Sequence, residues 1–204
     1  GMYLRPFEEH GRALAAEFLQ WQSAIVAEIK RPDQFITHNM DYDWTAYPVI
    51  RLDFGACMAA AVEELDVFLK RRLAECAGEH NLILTGPNPQ EQFIELILKL
   101  AKGTSSVVIL VDEYDKPILS NIINPKVSEI LTLLKGFYSV IKTYEGLVRF
   151  AFITGVSKFA HVSLFSDLNN LTDITLKTEY AGMLGFTEAE IRKYFADRIP
   201  LAAR

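Results

Sequence analysis

The sequence predicts an α/β fold, a mainly parallel sheet flanked by helices. Three observations carry the prediction. Residues 107–111 (VVILV) and 148–153 (VRFAFI) are short runs dominated by β-branched and aromatic residues, which suits strands buried on both faces of a sheet. Segments with apolar residues near a 3.6-residue period surround them, at 57–76, 92–101 and 127–144. Buried strands alternating with amphipathic helices is the pattern of an α/β sheet, whose functional groups gather at the carboxyl ends of its strands.

The elements follow in order. Residues 13–29 place Leu14, Phe18, Trp21, Ile25 and Ile29 on one helical stripe, and Pro32 stops the helix. Residues 35–38 read as a short strand, 40–46 as a loop and 47–54 (YPVIRLDF) as a strand. Residues 57–76 read as a long helix with Met58, Val62, Leu65, Leu69 and Leu73 aligned. Gly86, Pro87 and Pro89 break the chain over 84–90. The helix over 92–101 buries Phe93, Ile97 and Ala101 and ends at Gly103. The helix over 127–144 turns Ile130, Leu134, Tyr138 and Ile141 inward. Near the end, Thr187 and Glu190 have the spacing of a capping box for a helix to Arg198.

Composition narrows the function. Of 204 residues half are apolar, enough for a sizeable core and against disorder. The 21 basic and 26 acidic residues give a net charge of −5, so bulk charge does not point to nucleic acid. The apolar runs are far shorter than the roughly 18 residues of a membrane span. No apolar leader follows Gly1, so a cytoplasmic protein is expected, with Cys57 and Cys76 as reduced thiols. On a single helix those cysteines would lie about 28 Å apart and could not pair. His10, His38, His80 and His161 show no metal-ligand spacing with them.

Two strand ends carry candidate chemistry. The run 107–111 ends in Asp112-Glu113, the Walker B pattern: a buried strand delivers one carboxylate to hold Mg²⁺ and a second to polarise an attacking water. The next buried strand ends in Thr154-Gly155, with Ser157 and Lys158 close behind. An ordinary turn accounts for that stretch equally well. Residues 165–174 (FSDLNNLTDI) are dense in turn formers.

Taken together, VVILVDEYDKPI, RFAFITGVSKFAHVSLFSDLNNLTDIT and YAGMLGFTEAEI resemble the AAA-ATPase-like family of P-loop NTPases, whose members often carry a nuclease-like C-terminal domain. YDWTAYPVIRLDF is similar to the second strand of that family, so the resemblance covers residues 41–204. It implies Mg²⁺ and ATP as cofactors. Asp112 is then the metal-side and nucleotide-side acid, Glu113 the catalytic glutamate and Thr154 the sensor-region residue, with Ser157 and Lys158 toward the nucleotide. Asp115, Lys116, Asn169 and Asn170 recur in the family without an assigned role.

The pattern departs from that family at its start. A phosphate-binding loop ends in Gly-Lys-Ser/Thr, and no Gly-Lys pair occurs anywhere in this sequence. The expectation is a partial ATPase domain, truncated at its first strand and loop, with hydrolysis weak or absent alone. Residues 3–39 are instead similar to a helix–strand piece of β-galactosidase-type glycoside hydrolases. That makes 1–40 an appendage on a 41–204 domain, without the paired carboxylates of sugar hydrolysis. Residues 35–38 would form an antiparallel hairpin with 47–54. The slot beside 148–153 would stay open or take a partner strand, predicting a homo-oligomer, a strand-swapped dimer or a partner that supplies strand and loop. A non-catalytic interaction or regulatory module is the alternative.

Overall fold

The computed structural model describes the backbone of Met2–Leu4 and residues 46–156, 164–165, 169–180, 188–189 and 192. The chain falls into two compact units, Gly1–Pro6 with Asp43–Ile174, and Phe7–Tyr42 with Thr175–Arg204. In the second unit the described residues include a 3₁₀ turn at Thr178–Tyr180 and an Arg192–Glu188 ion pair at 2.6 Å. The expected helix over 13–29, the strand over 35–38 and most of the helix after Thr187 lie outside the described residues.

The first unit is built in this order: β1 (Met2–Leu4), β2 (Val49–Asp53), α1 (Val62–Glu79), α2 (Pro89–Thr104), β3 (Val107–Asp112), α3 (Lys116–Leu119), α4 (Val127–Thr143), β4 (Val148–Thr154) and β5 (Thr172–Asp173). Its sheet runs β2-β3-β4-β1-β5. The strands β2, β3 and β4 are parallel, in the register Asp53↔Asp112 and Val111↔Ile153. The expected parallel α/β core is therefore present.

The apolar runs explain the layering. One face of the strands presents Ile50, Leu52, Ile109, Val111, Ala151 and Ile153 to the core shared with α1, α2 and α4. The other face presents Val108, Leu110, Phe150 and Phe152, also buried, with the two phenylalanine rings stacked 6.3 Å apart. Each such side chain removed from water is worth about 1.5–3 kcal/mol, so both faces hold the strands in register.

Three sequence expectations need correction. The helix read over 57–76 begins at Val62: Cys57 lies in the preceding loop and Met58 is exposed rather than on the buried stripe. The loop wins because its carbonyls are satisfied elsewhere, Ala59 by Asn121 Nδ2 (2.7 Å) and Ala60 by Asn124 Nδ2 (2.8 Å). Both cysteines are nonetheless free and buried. The helix read over 92–101 starts earlier, at Pro89, because Asn88 caps it by accepting from Glu91 N–H at 2.9 Å. It continues through Gly103 to Thr104 and stops at Ser105, whose left-handed φ of 66° ends the helical path.

The third correction concerns the slot beside β4. It is not left for a partner: β1 lies there antiparallel, with Met2↔Thr154 and Leu4↔Phe152, and β5 pairs with its outer side. Neither strand was foreseen, because three-residue and two-residue strands carry too short a pattern to read. Among the described residues no helix is long and apolar enough to cross a membrane.

Candidate functional site

The parallel register brings the carboxyl ends of β2, β3 and β4 to one rim. There Asp53 stands opposite Asp112, and Thr154 stands beside Asp112 on the other flank. The Thr154 hydroxyl donates a short hydrogen bond to Asp112 Oδ1. The same oxygen accepts from Glu113 N–H at 3.1 Å, so among the described residues Oδ2 is left without a donor.

Glu113 adopts a left-handed backbone, φ 52°, which is costly for a residue with a Cβ. This twist turns the chain at the strand end. Instead of running on, Tyr114 N–H meets Thr154 O at 3.0 Å, and Lys116 N–H bonds Glu113 O at 2.9 Å to start α3. The Glu113 carboxylate swings toward the exit of β2. A methyl placed on Gly55 would lie 3.2 Å from its Oε1. Lys116 Nζ stands 3.9 Å from its Oε2, and both side chains are partly exposed.

Behind the rim the packing is tight. Tyr114 is fully buried against Phe165, ring centroids 4.9 Å apart, and its carbonyl accepts from the Tyr138 hydroxyl at 3.4 Å. Burial, then the nearby Tyr114 and Asp115, push the Tyr138 phenol up, so it stays a neutral donor. Asp115 is 1% exposed, and its Oδ2 accepts from Val156 N–H at 3.0 Å. Asn121 and Asn124, bonded to each other at 2.7 Å, tie the loop after β2 to the loop after α3.

The structure thus brings together Asp112, Glu113 and Thr154. Ser157 and Lys158 lie outside the described residues. Asn170 belongs elsewhere: its Nδ2 bonds Glu145 Oε2 at 3.2 Å, just before the start of β4 and so at the opposite end of that strand. Two rim residues escaped the sequence reading, Asp53 and Gly55, which bond each other through Gly55 N–H and Asp53 Oδ1 at 2.8 Å. Their signal was the ending of YPVIRLDFG: once that strand is placed parallel to 107–112, its last acid must share the rim.

Three carboxylates on one rim make a field that repels a bare polyphosphate and attracts a cation. Asp112, with one oxygen fixed by two donors and the other without one among the described residues, suits a hard metal ion or its water shell. Glu113 is exposed enough to meet a water molecule; the one Thr154 hydroxyl proton is given to Asp112, which leaves the Thr154 oxygen able to accept from a water.

A protein of Azotobacter chroococcum mcd 1, described as an uncharacterized protein in the vnfD 5′ region, is 40% identical over 162 residues. The match takes in 78% of this chain and 31% of that protein, so the chain spans about a third of its relative. No solved structure matches the chain. The family model described as Predicted AAA-ATPase matches residues 23–165. The match begins inside the segment read as a hydrolase-like fragment, and nothing supports that fragment's resemblance to glycoside hydrolases. With residues 23–165 matched, more than half of its length, the chain belongs to the predicted AAA-ATPase family.

Proposed function

We propose that this chain is a P-loop-type ATPase module in which the rim of β2, β3 and β4 receives Mg²⁺–ATP. The observation that carries the reading is the Asp112–Thr154 hydrogen bond, which joins the acid at one strand end to the hydroxyl at the next. Asp112 holds the metal side through Oδ2, Glu113 polarises the attacking water, and Thr154, as the sensor-region residue, helps position that water through its hydroxyl oxygen while its proton stays on Asp112. Ser157 and Lys158 are assigned to nucleotide binding by the family resemblance alone.

The donors fit magnesium: hard oxygens, and one carboxylate already oriented by its neighbours. Among the described residues no three His, Cys, Asp or Glu side chains group so as to hold a metal ion by themselves. When bound, the ion would neutralise charge on the phosphates that the acidic rim alone would repel.

None of the 11 glycines is followed by lysine, so the residues present offer no Gly-Lys-Ser/Thr loop, and affinity by this chain alone is expected to be weak. That same observation favours the second reading, a non-catalytic interaction or regulatory module. Titrating Mg²⁺–ATP by calorimetry and following phosphate release separates the two. Turnover that disappears in Glu113→Gln supports the ATPase reading. No binding at millimolar ATP sinks it.

A further inference from the structure

We propose that Asp115 is a positioning residue: its buried carboxylate holds the turn after β4 so that the Thr154 hydroxyl stays on Asp112. The inference rests on the nucleotide reading of that rim.

The paired ladder of β3 and β4 ends at Val111↔Ile153, one residue short of the site. Beyond it the two strand ends are held by other means. The Thr154 hydroxyl reaches Asp112, Tyr114 N–H reaches Thr154 O at 3.0 Å, and Val156 N–H reaches Asp115 Oδ2 at 3.0 Å. The last of these bonds lies on the far side of Thr154 from the ladder. Thr154 is therefore pinned from both directions along the chain.

Packing cannot do this work in place of Asp115, because the Val156 side chain is 81% exposed and contributes no burial. A carboxylate as buried as Asp115 is costly unless hydrogen bonds compensate it, and a backbone N–H from the partner turn supplies one. Gly155 shows how little slack the two turns have. A methyl there would lie 2.5 Å from Tyr114 Cδ1 and 2.7 Å from Asp115 Oδ1. The β4 turn thus passes directly against the Tyr114 ring and the Asp115 carboxylate, and a shift of either turn carries Thr154 away from Asp112. The hydrophobic anchoring of the segment lies with Tyr114, packed on Phe165, and not with Asp115.

The test compares Asp115→Ala, which removes the acceptor, with Asp115→Asn, which keeps one without the charge. Amide hydrogen exchange is read at Val156 and, as a reference on another element, at Leu73 in α1. Mg²⁺–ATP turnover is read as kcat and KM separately. The proposal expects Asp115→Ala to speed exchange at Val156 by about tenfold with Leu73 unchanged, since one buried hydrogen bond is lost. It also expects kcat to fall about tenfold with KM within about twofold, and Asp115→Asn to restore both. Unchanged exchange at Val156, equal acceleration at Leu73, or faster exchange at Val156 with unchanged kcat would each overturn it. If Asp115→Ala does not fold, Val156→Pro removes the donor instead and is read by kcat and KM alone: a fall in kcat of about tenfold with KM within about twofold supports the proposal, and an unchanged kcat overturns it. A wild-type chain that binds no Mg²⁺–ATP overturns the nucleotide reading; exchange at Val156 then still decides whether Asp115 holds the turn.

Discussion

Thr154 and Asp112 are joined by a hydrogen bond between side chains on adjacent parallel strands. Thr154→Val keeps the shape and removes the donor. It is expected to cost about 1.5 kcal/mol in urea unfolding, the worth of a hydrogen bond to a charged group, whereas Thr154→Ser should stay near wild type. A Thr154→Val protein as stable as wild type would show that the bond contributes nothing to the fold.

Glu113 occupies the left-handed region with φ 52°. Glycine there relieves a steric cost of about 1–2 kcal/mol, partly offset by its greater freedom when unfolded. Glu113→Gly should therefore be more stable than Glu113→Ala by about 1 kcal/mol, while both lose the carboxylate. Equal denaturation midpoints for the two would show that the turn relaxes at no cost.

Glycines in different surroundings should answer differently to alanine. At Gly155 the added methyl meets Tyr114 and Asp115, so overpacking should cost about 2–3 kcal/mol. At Gly103, inside α2, the methyl meets nothing within 4 Å, and Gly103→Ala should stabilise by about 0.5–1 kcal/mol. Thermal unfolding of the two variants side by side gives opposite shifts if these surroundings are right.

Acid should release the loop before α2. The Lys99 ammonium, then Thr85 N–H, hold the Glu95 carboxyl down to about 2 from 4.5. Glu95 also accepts from Gly86 N–H at 3.0 Å, and Lys99 reaches Ile83 O at 2.7 Å, so one ion pair fastens residues 83–86. A lowered folded value means the stabilisation is complete above about pH 4.5 and disappears as pH falls toward 2. Amide protection at Thr85 and Gly86 should decline through that window in wild type and show no such decline in Glu95→Gln. Protection unchanged down to pH 2 in wild type would contradict the fastening.

The legible part of this protein was its periodic part. Strands β3 and β4 announced themselves because both faces are buried, which leaves no polar residue to blur the run from Val107 to Val111. The pair Asp112-Glu113 was legible for the same reason, as the point where that run stops. Asp53 could not be recognised until the register set it opposite Asp112. The start of α1 was misread because helical periodicity extends through Met58, while the competing hydrogen bonds come from Asn121 and Asn124, more than sixty residues away. The hold of Asp115 on Val156 was equally invisible, being a contact between two turns with no periodicity of their own.

The Asn121–Asn124 latch bears on how this site could be transplanted. Moving the string from Val107 to Pro117 into another sheet would carry the acids and leave behind Asn121 and Asn124 with the Ala59 and Ala60 carbonyls they hold. It would also leave behind the β4 turn that Tyr114 and Asp115 grip. A portable unit takes in at least three separate stretches, residues 53–61, 107–124 and 148–156, besides the Tyr138 and Phe165 that hold Tyr114. A graft or a minimal peptide mimic that honours the motif and omits the other two would reproduce its letters without its geometry.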